Sequence, residues 1–261
     1  MSVPTSAPRF RQAITRSPAR SIIHGLSSVD LGPPDYERAC EQHEAYRAAL
    51  EFCGVAVLNL PALEDYPDSV FVEDAALCTP QCAIVTRPGA STRRGEAALL
   101  EPVLRQFYTR IERIEAPGTL DAGDVMMVGD HYFVGRSARS NDEGIAQLSA
   151  ILERHGMTAS AVPLRSMLHL KTGIAYLEQD RFLLAGEFSS ASEFEDRMRI
   201  EVSEDEAYAA NSIWVNGRVI MPAAYPRTRD RVRALGIEVI EVEVSEFRKV
   251  DGGVSCLSLR F

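Results

Sequence analysis

Long apolar runs, an excess of positive charge and paired cysteines are all missing from this 261-residue chain, and each absence removes a class of function. No stretch approaches the roughly 20 apolar residues that cross a bilayer, and Arg9, Arg11, Arg16 and Arg20 occur without the apolar core of a signal peptide. The chain therefore reads as soluble and cytoplasmic, with no membrane partner. A formal net charge of −9 argues against nucleic acid and is compatible with a cationic small molecule, although acidic residues serve solubility equally well. The five cysteines are Cys40, Cys53, Cys78, Cys82 and Cys256, an odd number in a long chain and no disulfide framework. Cys78 and Cys82 have three residues between them and no matching Cys or His pair, so they do not read as a zinc site. No His-Glu-x-x-His motif, serine nucleophile elbow, glycine-rich phosphate loop or dinucleotide fingerprint occurs. Cysteine is left as the best nucleophile.

What is present is a chain with 46% apolar and 25% charged residues, enough to bury a substantial core. A repeated order of strand, polar loop, helix and strand runs along it. Ala13-Ile14-Thr15 precedes a helix from about Asp35 to Cys53, closed by Gly54, and the strand Val55–Leu60. Ala83–Thr86 precedes a helix near Gly95–Phe107 and the strand Ile111–Ala116. Tyr132–Gly135 precedes a helix that Ser140 and Glu143 would open as a capping box and Gly156 would close. A fourth round, Phe182–Val202, is weaker in its helix. The fifth runs from Val219–Pro222 through a helix ending near Leu235 to the strand Ile237–Val244. Such a repeat predicts one α/β domain over residues 1–261, not two domains with a linker.

Five features stand apart from this scaffold. Glu64, Asp65, Asp68, Glu73 and Asp74 surround Val70-Phe71-Val72; the cluster is either a solvated turn or a strand end that carries its acids inward to meet a cation. Leu120-Asp121-Ala122-Gly123-Asp124 opens an apolar strand and is either a plain turn or a device that presents a carboxylate to a cleft. His169, between Leu168 and Leu170, is either a satisfied core residue or an acid–base group whose pKa crosses neutrality. Arg93 and Arg139 follow strands at comparable points of two repeats, as surface residues or as forks for a carboxylate. The chain ends in Asp251-Gly252-Gly253-Val254-Ser255-Cys256 and a short alternating strand. There Cys256 is either one more small hydrophobe or a nucleophile.

Taken together and in order, Pro67–Asp74, Thr86–Ala90, Leu120–Asp124, Leu168–Lys171 and Val250–Cys256 closely resemble the dimethylarginine dimethylaminohydrolases. That family belongs to the guanidino-group-modifying pentein superfamily. The resemblance runs from about Ala13 to Phe261. It implies a five-bladed β/α-propeller of ββαβ-type repeats with pseudo-fivefold symmetry and a lid loop near residues 16–31. It implies Cys256 as nucleophile, His169 as general acid and base, and Asp121 as the carboxylate that orients the histidine. Many bacterial relatives have glutamate in that place, so a shorter reach is expected here. By the same matching, Glu73, Asp74 and Asp251 would grip the substrate guanidinium, and Asp68 with the backbone of Leu26 the α-amine. Arg93 and Arg139 would hold the α-carboxylate, Phe71 would pack beside the substrate, and Val250 would contribute backbone.

The implied reaction is hydrolysis of N-ω-methylated arginine to citrulline and an alkylamine through a thiouronium on Cys256. Arginine deiminase chemistry, releasing ammonia, and a silent propeller that binds arginine derivatives are the alternatives. No organic cofactor or metal is implied, a homodimer is left open, and the expected partner is a small molecule. Zinc is expected to inhibit if it meets thiolate and imidazole at Cys256 and His169; activity insensitive to zinc and to chelators would refute this.

Overall fold

The computed structural model describes residues 9–261, and the architecture follows from five short sheets that share one wiring. In the first, β1 (Gln12–Arg16) continues through α1 (Tyr36–Phe52) into β2 (Ala56–Leu60), and the two strands pair in parallel. Asp35 caps α1 by accepting from Arg38 N, and Gly54 at φ +80° turns the chain out of it. The second sheet holds β3 (Ala76–Cys78), β4 (Ala83–Val85), α2 (Arg94–Leu104) and β5 (Ile111–Arg113). The third holds β6 (Val125–Val128), β7 (His131–Arg136), α3 (Asp142–Arg154) and β8 (Thr158–Pro163).

The fourth starts with the short helix α4 (Leu170–Gly173) and has β9 (Ile174–Tyr176), β10 (Arg181–Leu184) and β11 (Met198–Glu201). The fifth has β12 (Ile213–Val215), β13 (Arg218–Pro222), α5 (Pro226–Arg233) and β14 (Glu238–Val242). After α6 (Ser245–Arg248), the terminal β15 (Leu259–Arg260) pairs antiparallel with β1 and completes the first sheet. In every sheet an antiparallel pair is followed by a parallel strand reached through a crossover.

Packing closes these blades into a ring. Leu100 and Leu104 of α2 bury against Ile14 and Leu259 of the first blade and Val85 of the second. Leu148 and Leu152 of α3 join Ile84 of the second blade to Val134 of the third. Phe133 meets Phe182 and Phe194 between the third and fourth, Leu183 meets Val219 and Val232 between the fourth and fifth, and Tyr46 and Leu50 of α1 meet Ile213 and Ile220 of the fifth. Each apolar cluster thus spans two neighbouring blades, and the last returns to the first. Among the described residues no helix is long and apolar enough to cross a membrane.

Several expected elements shift. The fourth crossover is not an α-helix but two 3-10 turns, Gly186–Ser190 and Ser192–Phe194, as its serine-rich sequence favours. The cap of α3 is Asn141, which accepts from Gly144 N, and not Ser140; Ser140 Oγ is turned inward to Asp124. Val70-Phe71-Val72 is buried as expected but is not a strand. It enters the 3-10 turn Val72–Ala75, where the carbonyls of Asp68 and Phe71 accept from the backbone N–H groups of Phe71 and Asp74 and from the Arg93 guanidinium instead of from a ladder. His169 likewise precedes α4 instead of lying on a strand.

Candidate active site

The chemistry-bearing residues lie in the segments that enter the first strand of each antiparallel pair, so the repeat itself delivers them to one place. Asp74 leads into β3, Asp121 and Asp124 into β6, His169 into β9, Asn211 into β12 and Cys256 into β15. A cleft of about 30 Å³ is lined by Cys256, His169, Asp74, Asp68, Arg139 and Asp251, with Leu26, Phe71, Arg93, Leu168, Val250 and Gly252 completing its wall.

His169 Nε2 sits 3.0 Å from Asp121 Oδ2 and 4.0 Å from Asp74 Oδ1. Asp121 is fully buried behind the ring, and its other oxygen accepts from Gly89 N at 2.8 Å. Burial works against a charged imidazole, but the charge of Asp74, the hydrogen bond to Asp121 and the charges of Asp124 and Asp121 outweigh it and raise His169 to about 9. Burial, with the charges of Asp74 and Glu73, pushes the Cys256 thiol up to about 12. The resting pair is therefore imidazolium and neutral thiol. Among the described residues no hydrogen bond joins the two; Cys256 Sγ lies 3.9 Å from Ser255 Oγ and also meets the Gly253 backbone. Gly123 is what lets the acid and the imidazole converge: a Cβ there would lie 2.6 Å from Asp74 Oδ1 and 3.0 Å from His169 Nδ1.

The cationic and anionic walls are unequal. Arg139 is half-buried, and its guanidinium has no hydrogen-bond or ion-pair partner among the described residues. Arg93 is buried and already committed. Its Nη1 lies 2.5 Å from Asp74 Oδ2, its Nη2 lies 2.7 Å from Glu96 Oε2, and Nη2 also donates to the Phe71 carbonyl at 2.9 Å. Burial would raise the Asp74 carboxyl, yet the charges of His169 and Arg93 hold it below its ordinary value. Asp68 Oδ1 accepts from Leu26 N at 2.9 Å, and burial raises its carboxyl against the charge of Arg93. Asp251, at φ +58°, accepts from Ser28 N at 2.6 Å through Oδ2, and Ser27 Oγ donates to the Lys249 carbonyl at 2.8 Å.

Of the expected site residues, the structure brings all to the cleft except Asp121, which stands behind His169, and Glu73, which departs from its expected place. Successive residues of a 3-10 turn point about 120° apart, and Glu73 accordingly faces away from Asp74. It lies 2.8 Å from Lys171 Nζ and 3.5 Å from Arg260 Nη2, beside a separate cavity of about 120 Å³. Gly252 and Gly253 are required by close packing. A Cβ on Gly252 would lie 2.2 Å from the Phe71 ring, and one on Gly253 would lie 2.4 Å from Asn211.

Sequence reading missed Asn211, whose Oδ1 accepts from Ser255 N at 2.8 Å, Tyr208, which donates to the Gly252 carbonyl at 2.7 Å, and Glu96. The i, i+3 spacing of Arg93 and Glu96 was the available signal for the last.

Asp74, Asp121 and His169 bring ligand-type atoms within 4.8 Å of one another. Their demands are met by one another, by Arg93 and by Gly89 and Gly123 N–H groups, so the cluster needs no cation to balance it.

Comparison with known proteins follows the same lines. Residues 59–218 match the family model described as arginine deiminase. The N(G),N(G)-dimethylarginine dimethylaminohydrolase of Pseudomonas aeruginosa is 59% identical over 253 residues, 97% of this chain and 100% of that protein. A solved structure of the P. aeruginosa enzyme, a cysteine-to-serine mutant complexed with citrulline, superposes with a TM-score of 0.96 at 58% identity, covering 97% and 100% of the two chains. Another solved dimethylarginine dimethylaminohydrolase, a histidine-to-glycine variant as an adduct with S-methyl-L-thiocitrulline, gives 0.95 at 59% identity over the same shares. With that identity along nearly its entire length and the same ring of five blades, the chain belongs to the dimethylarginine dimethylaminohydrolase family of the penteins.

Proposed function

We propose that this chain is a dimethylargininase, hydrolysing asymmetric dimethylarginine and monomethylarginine to citrulline and dimethylamine or methylamine. The observation that carries the reading is the cleft in which Cys256 shares one small space with the His169–Asp121 pair, the Asp74 carboxylate and the free Arg139 guanidinium. The relatives add support: the P. aeruginosa mutant lacking a cysteine holds citrulline, and the histidine variant carries an adduct with a thiocitrulline.

In this reading the substrate supplies its own activation. A guanidinium carbon is a poor electrophile, and a soft thiolate suits it. The arriving cation, held by Asp74 with Asp251 at the rim, replaces the thiol proton of Cys256, which leaves to solvent. Sulfur then bonds to the guanidinium carbon. His169, already cationic at rest, donates its proton to the departing alkylamine as the C–N bond breaks, which leaves a thiouronium on Cys256. The now neutral imidazole takes a proton from water, the resulting hydroxide adds to the same carbon, and the C–S bond breaks as the added hydroxyl gives up its proton to the departing sulfur, which releases citrulline and restores the thiol and the imidazolium. Asp121 holds the ring through both halves. Arg139 is assigned the α-carboxylate, with Arg93 left mainly as the brace of Asp74; Asp68 and the Leu26 backbone take the α-ammonium, and Phe71 and Val250 wall the alkyl chain.

The chain forms a single propeller domain in this reading, residues 1–8 of that expected domain lying outside the described residues, and residues 16–31 are its lid. The contacts of Leu26, Ser27 and Ser28 with Asp68, Lys249 and Asp251 support that role. A cytoplasmic setting agrees with five cysteines that are all free. The test is to supply asymmetric dimethylarginine, monomethylarginine and arginine and to quantify citrulline, alkylamine and ammonia. Alkylamine from the methylated substrates is expected. Ammonia from arginine as the preferred product would favour deiminase chemistry, and no citrulline from any substrate would overturn both.

A further inference from the structure

Asp124 is the acid of the Leu120–Asp124 stretch that the reaction leaves without a task, yet it is fully buried beside the catalytic pair. Its Oδ2 accepts from Ser137 Oγ and Ser140 Oγ, both at 2.6 Å, and its Oδ1 accepts from Leu170 N at 2.9 Å. Each serine passes the connection on. Ser140 Oγ accepts from Asp121 N at 3.1 Å, and Ser137 Oγ accepts from Arg139 N at 3.0 Å. One carboxylate thus ties down the residue after His169, the backbone of the histidine's partner and the loop that carries the free arginine. Room for it is made by Gly135, where a Cβ would lie 2.7 Å from Asp124 Oδ1 and 3.1 Å from the Leu170 side chain.

We propose that Asp124 is a positioning residue for the hydrolysis, its carboxylate holding the His169–Asp121 pair and the Arg139 loop in one frame while placing negative charge behind the imidazole. The inference rests on the reading of His169 as acid and base. With both serine hydroxyls donating, the network uses Asp124 only as an acceptor, which suits the carboxylate. Burial pushes its carboxyl up, and the His169 charge with the two serine bonds works in the opposite direction. The other ionisable groups acting on His169 are Asp74 from the turn before β3 and Asp121, and Cys256 shares the cleft with the ring. Asp74 has Arg93 as counter-ion, whereas among the described residues Asp124 has no ion-pair partner within 4.0 Å.

A purely structural carboxylate would cost stability without touching the histidine's titration. The distinguishing variant is Asp124→Asn, which keeps the shape and removes the charge. Its kcat is expected to fall by about tenfold or more. The His169 midpoint, followed by proton NMR and assigned by its loss in His169→Gln, is expected to move down by about half a pH unit or more. A folded variant with an unmoved midpoint overturns the proposal. Should Asp124→Asn not fold, Ser140→Ala and Ser137→Ala divide the network: the first is expected to lower kcat through Asp121, the second to raise KM through Arg139. Equal loss of stability in both with kcat and KM unchanged would overturn it as well. Because the NMR midpoint needs no turnover, a wild-type protein that makes no citrulline would refute the activity alone, while a shifted midpoint in Asp124→Asn would still uphold the positioning role.

Discussion

Burial and the charges of Asp74 and Glu73 set the state of the Cys256 thiol before substrate arrives, by pushing it up to about 12. A cysteine paired with a nearby imidazolium in other enzymes is a thiolate at neutral pH; here the acids around His169 balance the imidazolium's charge themselves, and burial with the charges of Asp74 and Glu73 opposes a thiolate. Alkylation of Cys256 by iodoacetamide, followed by peptide mass spectrometry, is therefore expected to be slow at pH 7 and to keep rising beyond pH 9. The four other cysteines provide internal comparison. A rate that levelled off below pH 8 would mean a resting thiolate and would remove the need for activation by the substrate's cation.

At the level of elements, the turn Val72–Ala75 and the start of α2 are joined by one buried ionic group, Arg93 with Asp74 and Glu96. Both salt bridges lie at side chains about one-twentieth exposed. Removing one acid leaves a buried cation short of its counter-charge, which costs roughly 3–5 kcal/mol. Glu96→Ala is accordingly expected to lower the melting temperature strongly. Arg139→Ala, which removes a guanidinium with no partner among the described residues, is expected to leave melting nearly unchanged and to raise KM. Equal melting losses in the two variants would erase the distinction between brace and ligand. This distinction was not legible in the sequence, where the two arginines occupy comparable places. Four of the crossover helices were legible, because apolar spacing and end signals are local: Asp35 and Gly54 bound α1 as their types suggest. What escaped was set by distant partners. Val70-Phe71-Val72 has strand composition but enters a turn that Arg93, more than 20 residues away, helps to hold, and Asn211 owes its role to Ser255, 44 residues on.

Over the whole molecule, five blades close because every apolar cluster belongs to two of them, and the same closure forces several acids and one histidine toward a common axis. Stability should therefore carry the mark of the site. His169 has an ordinary value of 6.5 and is raised to about 9 in the fold, so the folded state binds the proton more tightly than the unfolded chain does. The resulting stabilisation is complete below about pH 6.5 and is lost as pH rises through about 9. Wild-type protein is thus expected to lose more stability between pH 6 and pH 9.5, measured by urea denaturation, than His169→Gln does. Glu178, raised to about 7 by burial, also loses its contribution with rising pH, but it does so in both proteins and cancels in the comparison. Identical pH slopes for the two would show that the convergence of Asp74, Asp121 and Asp124 on the imidazole adds nothing to the fold, and would leave its justification to catalysis alone.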